Sequence, residues 1–347
     1  PPERSPTMAT ATVIGLDIGS TCIRAVETRR SKGGHTLTNF GQVPLVPGTV
    51  AGGVVHDDKA VTHALRQLWT TTRFSSREVV LGVTNPQVVV REVTVNHLPG
   101  SQLRASLALQ VRDALPLPVE KCVLDFYPLE ESSANKTVRG LLVAAPKEAV
   151  LTLVRAVEAA GLRVAGVDLA SFALLRATSR LDAHVEAIVD VGARSTSVVV
   201  HADGQPLIVR TVPRGGEEIT EAIAKQLHIA PGEAEALKCR VGLRSANPAQ
   251  ATVVEDAIRP LISEVRGSFS YLASGERQTR VHRMLLCGGG AYLPGFAERL
   301  GTELGVEVHL ADPMVRLRDP RRSRHNGLEQ FRPSAAVSVG LTLGAAR

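Results

Sequence analysis

The chain has 347 residues, 44% of them apolar, and a formal net charge of +6. That length suggests two or three domains at roughly 150 residues each, with enough apolar content for real cores. Aromatic residues make up only 3% of the chain, and basic residues cluster only at Arg316, Arg318, Arg321, Arg322 and Arg324; that run reads as a solvated loop, which argues against a nucleic-acid-binding class.

Pro1 to Thr7 precede the first methionine and read as lying outside the fold. Residues 13–18 then form a β-branched apolar run of the kind buried on both faces of a sheet. Asp17 interrupts it, and a carboxylate in apolar surroundings needs a cation, a wet cleft or donors. Gly19 permits a tight turn, Ser20 and Thr21 add hydroxyls, and the apolar run 22–27 returns. Such a tip is either a surface turn or a phosphate cradle with the carboxylate turned toward a metal shell.

Residues 36–46 read as a strand, followed by a Gly/Pro-rich loop and a helix over 57–72 with Ala60, Val61, Ala64, Leu65 and Leu68 on one stripe. A β-α-β-β block spans 76–146: strands over 79–83 and 88–93, a helix over 103–115 stopped by Pro116 and Pro118, and strands over 123–129 and 138–144. An exposed loop at 130–136 joins the last two strands. A helix over 147–160 ends at Gly161. A short strand at 164–167 is followed by Asp168 and by a helix over 170–179.

The opening pattern then recurs about 170 residues later, a sign of internal duplication. In the run 187–200, Asp190 matches Asp17, Gly192 matches Gly19, and the hydroxyls of Ser195 and Thr196 match those of Ser20 and Thr21, one or two places further along. Two such hairpins on opposite walls of a cleft can grip a polyphosphate and its Mg²⁺. A strand at 207–212 leads through Gly215 and Gly216 into a helix over 217–227; these glycines serve either an approaching anion or a simple turn. Glu235 and Lys238 lie three apart on the next helix and read as an exposed ion pair. A long helix covers 251–274. A strand at 283–287 ends in Gly288, Gly289 and Gly290, a flexible turn or a surface for a planar group. A strand at 306–310, the basic loop 316–332 and a small-residue helix over 335–345 complete the chain.

Cys22, Cys122, Cys239 and Cys287 lack metal-ligand spacing and fit reduced thiols in a cytosolic protein. No run approaches the ~20 apolar residues of a membrane span, and no signal peptide is visible.

The order of hairpin, connecting helix, second hairpin, triple glycine and Ala/Gly-rich last helix resembles the actin/Hsp70/sugar-kinase superfamily. More narrowly it resembles the PilM family, cytosolic actin-like proteins of type IV pilus assembly related to FtsA. The stretches that carry this are 15–21, 117–126, 143–147, 166–174, 189–193, 232–238 and 288–295. The resemblance implies an α/β, actin-like (ribonuclease H-like) fold of duplicated domains facing a nucleotide cleft, with a small inserted α+β subdomain. The first domain would comprise 8–75 and 147–185, the insertion 76–146 and the second domain 186–347. It further implies ATP with Mg²⁺ held through water by Asp17 and Asp190. Phosphates would meet Gly19, Ser20, Thr21, Gly192, Ser195 and Thr196, with Gly215 and Gly216 also at the nucleotide. Arg24 stands where relatives often have lysine. Glu235 and Lys238 would reach ribose and adenine, Gly288, Gly289 and Gly290 would line the adenosine pocket, and Asp168 would orient water.

On this resemblance a groove beside the insertion takes the short cytosolic N-terminal peptide of PilN, so membrane contact comes only through that partner. The expected function is a cytoplasmic ATP-binding adaptor, at most a slow ATPase, with self-association open. The alternatives are a small-molecule kinase on the same fold and an FtsA-like filament protein.

Overall fold

The structure, a computed structural model, describes residues 11–132, 136–182, 184–274, 278–318 and 328–344. Residues 133–135 of the loop at 130–136, Arg321, Arg322 and Arg324 of the basic run, and Ala345 of the last helix lie outside the described residues.

The first half opens with a meander of β1 (Thr12–Ile18), β2 (Cys22–Ser31) and β3 (Gly34–Pro44). A small β4 (Val50–Ala51) and β5 (Val54–Val55) ribbon leads to α1 (Asp58–Thr72). The side chain of Asp57 caps α1 by accepting the amide of Ala60. Next comes β6 (Glu78–Val83), which pairs in parallel with β1. Sequence patterning placed this strand in the insertion. It belongs instead to the first sheet, so the insertion begins with β7 (Val89–Asn96) and continues through α2 (Gly100–Gln110), β8 (Cys122–Ser132) and β9 (Thr137–Pro146). The inserted sheet has the order β7-β9-β8 and packs Val95, Leu107, Val111, Val138 and Leu142 into its own small core. The first half resumes with α3 (Lys147–Ala159) and β10 (Arg163–Leu169), then crosses through α4 (Ala170–Thr178).

The second half repeats the theme with β11 (Val185–Val191), β12 (Thr196–Ala202) and β13 (Gln205–Val212). The helices α5 (Gly216–Leu227), α6 (Pro231–Arg240) and α7 (Pro248–Ser274) follow. The remaining elements are β14 (Arg283–Cys287), α8 (Phe296–Leu304), β15 (Glu307–Leu310), β16 (Leu317–Arg318) and α9 (Ala336–Gly344). The first sheet runs β10-β6-β1-β2-β3-β16 and the second β13-β12-β11-β14-β15. The late strand β16 joins the first sheet beside β3, so the chain returns to its first half near its end.

Between the two sheets lie α4 and α9. Their crossing is close because residue 340 is glycine: a Cβ there would sit 1.8 Å from the carbonyl oxygen of Ala173. Gly15 on β1 does the same for the other face of α9, where a Cβ would come within 2.1 Å of the Ser338 carbonyl oxygen. Backbone approach of this kind leaves no room for a side chain. Ala173, Leu174, Ile188, Val199, Leu285 and Leu341 fill the layer between helices and second sheet. The helix pair thereby packs against the sheets that carry both β-hairpins, β1–β2 and β11–β12. Among the described residues no helix is long and apolar enough to cross a membrane.

Candidate functional site

The two hairpins are equivalent turn by turn. In the first, Asp17 pairs across the ladder with Arg24, and the Gly19 amide donates to the Cys22 carbonyl at 3.0 Å. In the second, Asp190 pairs with Ser197, and the Gly192 amide donates to the Ser195 carbonyl, again at 3.0 Å. Each places a carboxylate at the end of a buried strand two residues before the turn glycine. The equivalence sets Ser195 opposite Cys22, and Ala193 and Arg194 opposite Ser20 and Thr21.

The carboxylates of Asp17 and Asp190 feel one another. Burial, then the charge of Asp17, push the Asp190 carboxyl up to about 7, with Arg24 acting in the opposite sense. Burial also raises the Asp17 carboxyl, again against Arg24. Two buried acids, one of which holds back the ionisation of the other, suit a nearby cation. The described residues hold no group of three metal-ligating side chains, so a divalent ion here would complete its shell with water and ligand oxygens, the habit of Mg²⁺. The Nε of Arg24 is buried and has no hydrogen-bond partner. An orphaned guanidinium nitrogen beside a pair of acids fits a site completed by an anion together with its cation.

The remaining sequence candidates fall into distinct places. Gly288, at φ 79°, lies against Asp190: a Cβ there would stand 2.5 Å from Asp190 Oδ1. Gly290 is pressed on Val191, where a Cβ would meet Cγ1 at 2.4 Å, whereas nothing lies within 4 Å of a Cβ at Gly289. Two of the three glycines therefore seat the loop on β11, and Gly289 presents the open backbone. Gly215 and Gly216 bring α5 onto the second hairpin. The Gly216 amide donates to the Gly192 carbonyl at 2.9 Å and the Glu217 amide to that of Ala193 at 2.8 Å. Thr196 is fully buried and its hydroxyl donates to the Arg214 carbonyl at 2.8 Å.

Lys238 Nζ donates to the Gly216 carbonyl at 2.9 Å and to Thr220 Oγ1 at 2.8 Å, and lies 2.7 Å from Glu235 Oε2. Rather than a lone surface pair, Glu235 and Lys238 tie α6 to the start of α5, with half of Glu235 exposed. Asp168 pairs with Arg176, which also donates from Nε to the Gly340 carbonyl at 3.1 Å. Its carboxylate thus anchors α4 and α9 to the edge strand β10. Patterning gave no sign of Arg194, whose Nη2 donates to Glu217 Oε1 at 2.8 Å while its Nε lies 2.5 Å from Oε2, a buried oxygen without a hydrogen-bond partner. The turn-by-turn match of the hairpins was the available signal.

A pH dependence follows from Asp190. Its carboxyl is raised above the ordinary carboxylate range, so the stability it contributes is complete at acid pH and is lost as pH rises through about 7. Any divalent cation that these carboxylates held would bind with the opposite trend, weakening about tenfold per pH unit below 7 and levelling off above it. Thermal melts from pH 5.5 to 8.5, with and without Mg²⁺ and nucleotide, read both trends.

The family described as type IV pilus assembly protein PilM matches residues 15–346. The cell division protein FtsA of Bacillus subtilis (strain 168) is 23% identical over 378 residues, covering 95% of this chain and 86% of FtsA. A solved PilM-PilN type IV pilus biogenesis complex is similar at 28% identity and TM-score 0.85, over 98% of this chain and 100% of that one. MreB5 of Spiroplasma citri bound to ADP shares the fold at TM-score 0.55 and 12% identity, over 96% of each chain. The architecture is that of the actin-like proteins, two duplicated α/β halves with an inserted subdomain.

Proposed function

The chain belongs to the PilM family of type IV pilus assembly proteins, and on that premise we propose that it is a nucleotide-binding adaptor that docks the N-terminal tail of a PilN-type membrane partner. The nucleotide part of this reading rests on the facing hairpins. ATP would lie with its phosphates between Gly19–Thr21 and Gly192–Ser195, and with Mg²⁺ held through water by Asp17 and Asp190. Arg24 would take a phosphate oxygen, and the nucleoside would lie toward Gly289, Glu235 and Lys238. Phosphoryl transfer needs a group placed to activate the acceptor. Asp168 is already engaged by Arg176, which favours binding over turnover and argues against a small-molecule kinase.

The observation that carries the adaptor reading is the inserted sheet. Its strand β8 is an edge, with backbone groups open to an added strand. Val123 and Tyr127 alternate outward along β8 at 43% and 40% exposure, and on α3, which contacts β8, Leu151 is 44% exposed. Lys147 Nζ donates to the Glu120 carbonyl at 2.5 Å and fixes the seam between them. A short apolar peptide laid along this seam would cover Val123 and Leu151 and complete the sheet. The solved relative is a complex with PilN, and a tail of that protein is the occupant proposed.

A synthetic N-terminal peptide of the cognate PilN-type protein, immobilised on beads, should retain the wild-type chain. Leu151→Asp and Val123→Asp should each weaken retention at least about tenfold, since burying one such side chain is worth roughly 1.5–3 kcal/mol. Both positions are exposed, so melting should stay at the wild-type temperature. Retention that neither variant changes would place the tail elsewhere.

A further inference from the structure

We propose that Arg194 is the side chain by which the second hairpin distinguishes a nucleoside triphosphate from a diphosphate. This rests on the reading of the cleft as a nucleotide site. The first turn carries only small side chains at its tip, Ser20 and Thr21. The equivalent places in the second turn are held by Ala193 and Arg194, so Arg194 stands where Thr21 stands and is the cation of its turn.

The positive charge that a helix start often lends to a phosphate is already committed here. The amides of Gly216 and Glu217 donate to the carbonyls of Gly192 and Ala193. Glu217, Glu218 and Glu221 then crowd the first turns of α5 with negative charge. An anion arriving at this hairpin therefore depends on a side chain for its counter-charge. Arg194 is 37% exposed, and Glu217 is 26% exposed. Glu217 Oε2 is buried without a hydrogen-bond partner, so one hydrogen bond, Nη2 to Oε1, holds this partly exposed pair and leaves it unsatisfied. A terminal phosphate offers the same planar fork two oxygens and more charge than a carboxylate. The pair with Glu217 is the resting position of Arg194, and a third phosphate at the hairpin tip is the competitor that draws it off. A diphosphate ends one group short and leaves the pair intact.

Calorimetric titration of the full chain with Mg·ATP and with Mg·ADP tests this. In Arg194→Ala, affinity for Mg·ATP should fall about tenfold, the scale of one charge-assisted hydrogen bond, while that for Mg·ADP changes less than about twofold. Arg194→Lys, which keeps the charge without the fork, should fall between. Glu217→Gln, which frees the arginine, should bind Mg·ATP more tightly than wild type and Mg·ADP equally. Both Arg194 changes are partly exposed, and matching circular dichroism and melting establish that each variant folds. An unchanged ATP-to-ADP ratio in Arg194→Ala, or equal weakening of both, overturns the proposal while wild-type binding leaves the nucleotide reading standing. Wild type that binds both ligands equally overturns the proposal alone; wild type that binds neither overturns the nucleotide reading and this proposal with it.

Discussion

Asp190→Ala is expected to weaken Mg·ATP binding by about 10- to 100-fold, the range found when a group that holds a metal through an intervening ligand is removed. The expectation is sharp because so few groups share the work. Two buried carboxylates stand at the ends of β1 and β11, the charge of Asp17 reaches Asp190, and the described residues supply no group of three metal-ligating side chains. With Asp190 gone, Asp17 alone would face the ion, with the positive charge of Arg24 beside it. The fold itself should not suffer. Asp190 is buried and repelled by Asp17, and removing one of two like charges relieves that repulsion. Melting of the unliganded variant should therefore match or exceed wild type, while the stabilisation that Mg·ATP confers on wild type should be largely lost. A variant with wild-type Mg·ATP affinity would dissociate the hairpins from nucleotide binding.

The second large effect is on stability and lies at the other end of the same strand. Glu186→Ala is expected to destabilise the chain by about 3–5 kcal/mol, the usual cost of stripping one partner from a buried ionic network. Glu186 is fully buried, as is His201, whose Nε2 stands 3.1 Å from Glu186 Oε1. The same oxygen accepts the Arg180 amide at 2.9 Å, and Oε2 accepts from Arg283 Nε at 2.5 Å. Arg283 keeps Asp182 as a second partner, at 2.6 and 2.8 Å, and His201 Nδ1 keeps the Gly204 amide, but His201 Nε2 and the Arg180 amide would lose theirs. Glu186→Gln, which keeps an acceptor in place, should cost less. Urea unfolding followed by circular dichroism reads the difference; a loss under about 1 kcal/mol would mean that the site collapses or admits water. Four residues of strand, about 13 Å at ~3.3 Å per residue, separate Glu186 from Asp190. Nucleotide affinity should therefore stay near wild type in folded Glu186→Gln.

The hairpins were legible in the sequence because their signal is local: a β-branched run, an acid where none is expected, a glycine two residues on and a returning run. The duplication doubled that signal. What sequence could not show depends on which distant segments meet. Residues 79–83 and 88–93 are equally β-branched, and nothing in either says that one joins the first sheet and the other the insertion. That choice is made by parallel pairing of β6 with β1 and β10, from opposite directions along the chain. The two-residue strand β16 is too short to carry a pattern. Among the three glycines after β14, only contact with Asp190 and Val191 separates the two that pack from the one that stays open. Arg194 and Glu217 are 23 positions apart, and Lys238 is 22 from the carbonyl it holds; charge patterning along a helix reaches three or four residues and misses both.

The most direct test of the nucleotide cleft is an experimental structure of this chain with Mg²⁺ and a non-hydrolysable ATP analogue. The triphosphate should lie between the Gly19 and Gly192 turns, with the metal facing Asp17 and Asp190 through water and Arg24 Nε bonded to a phosphate oxygen. A nucleotide bound away from both turns, or a cleft that stays empty at saturating analogue, would contradict it.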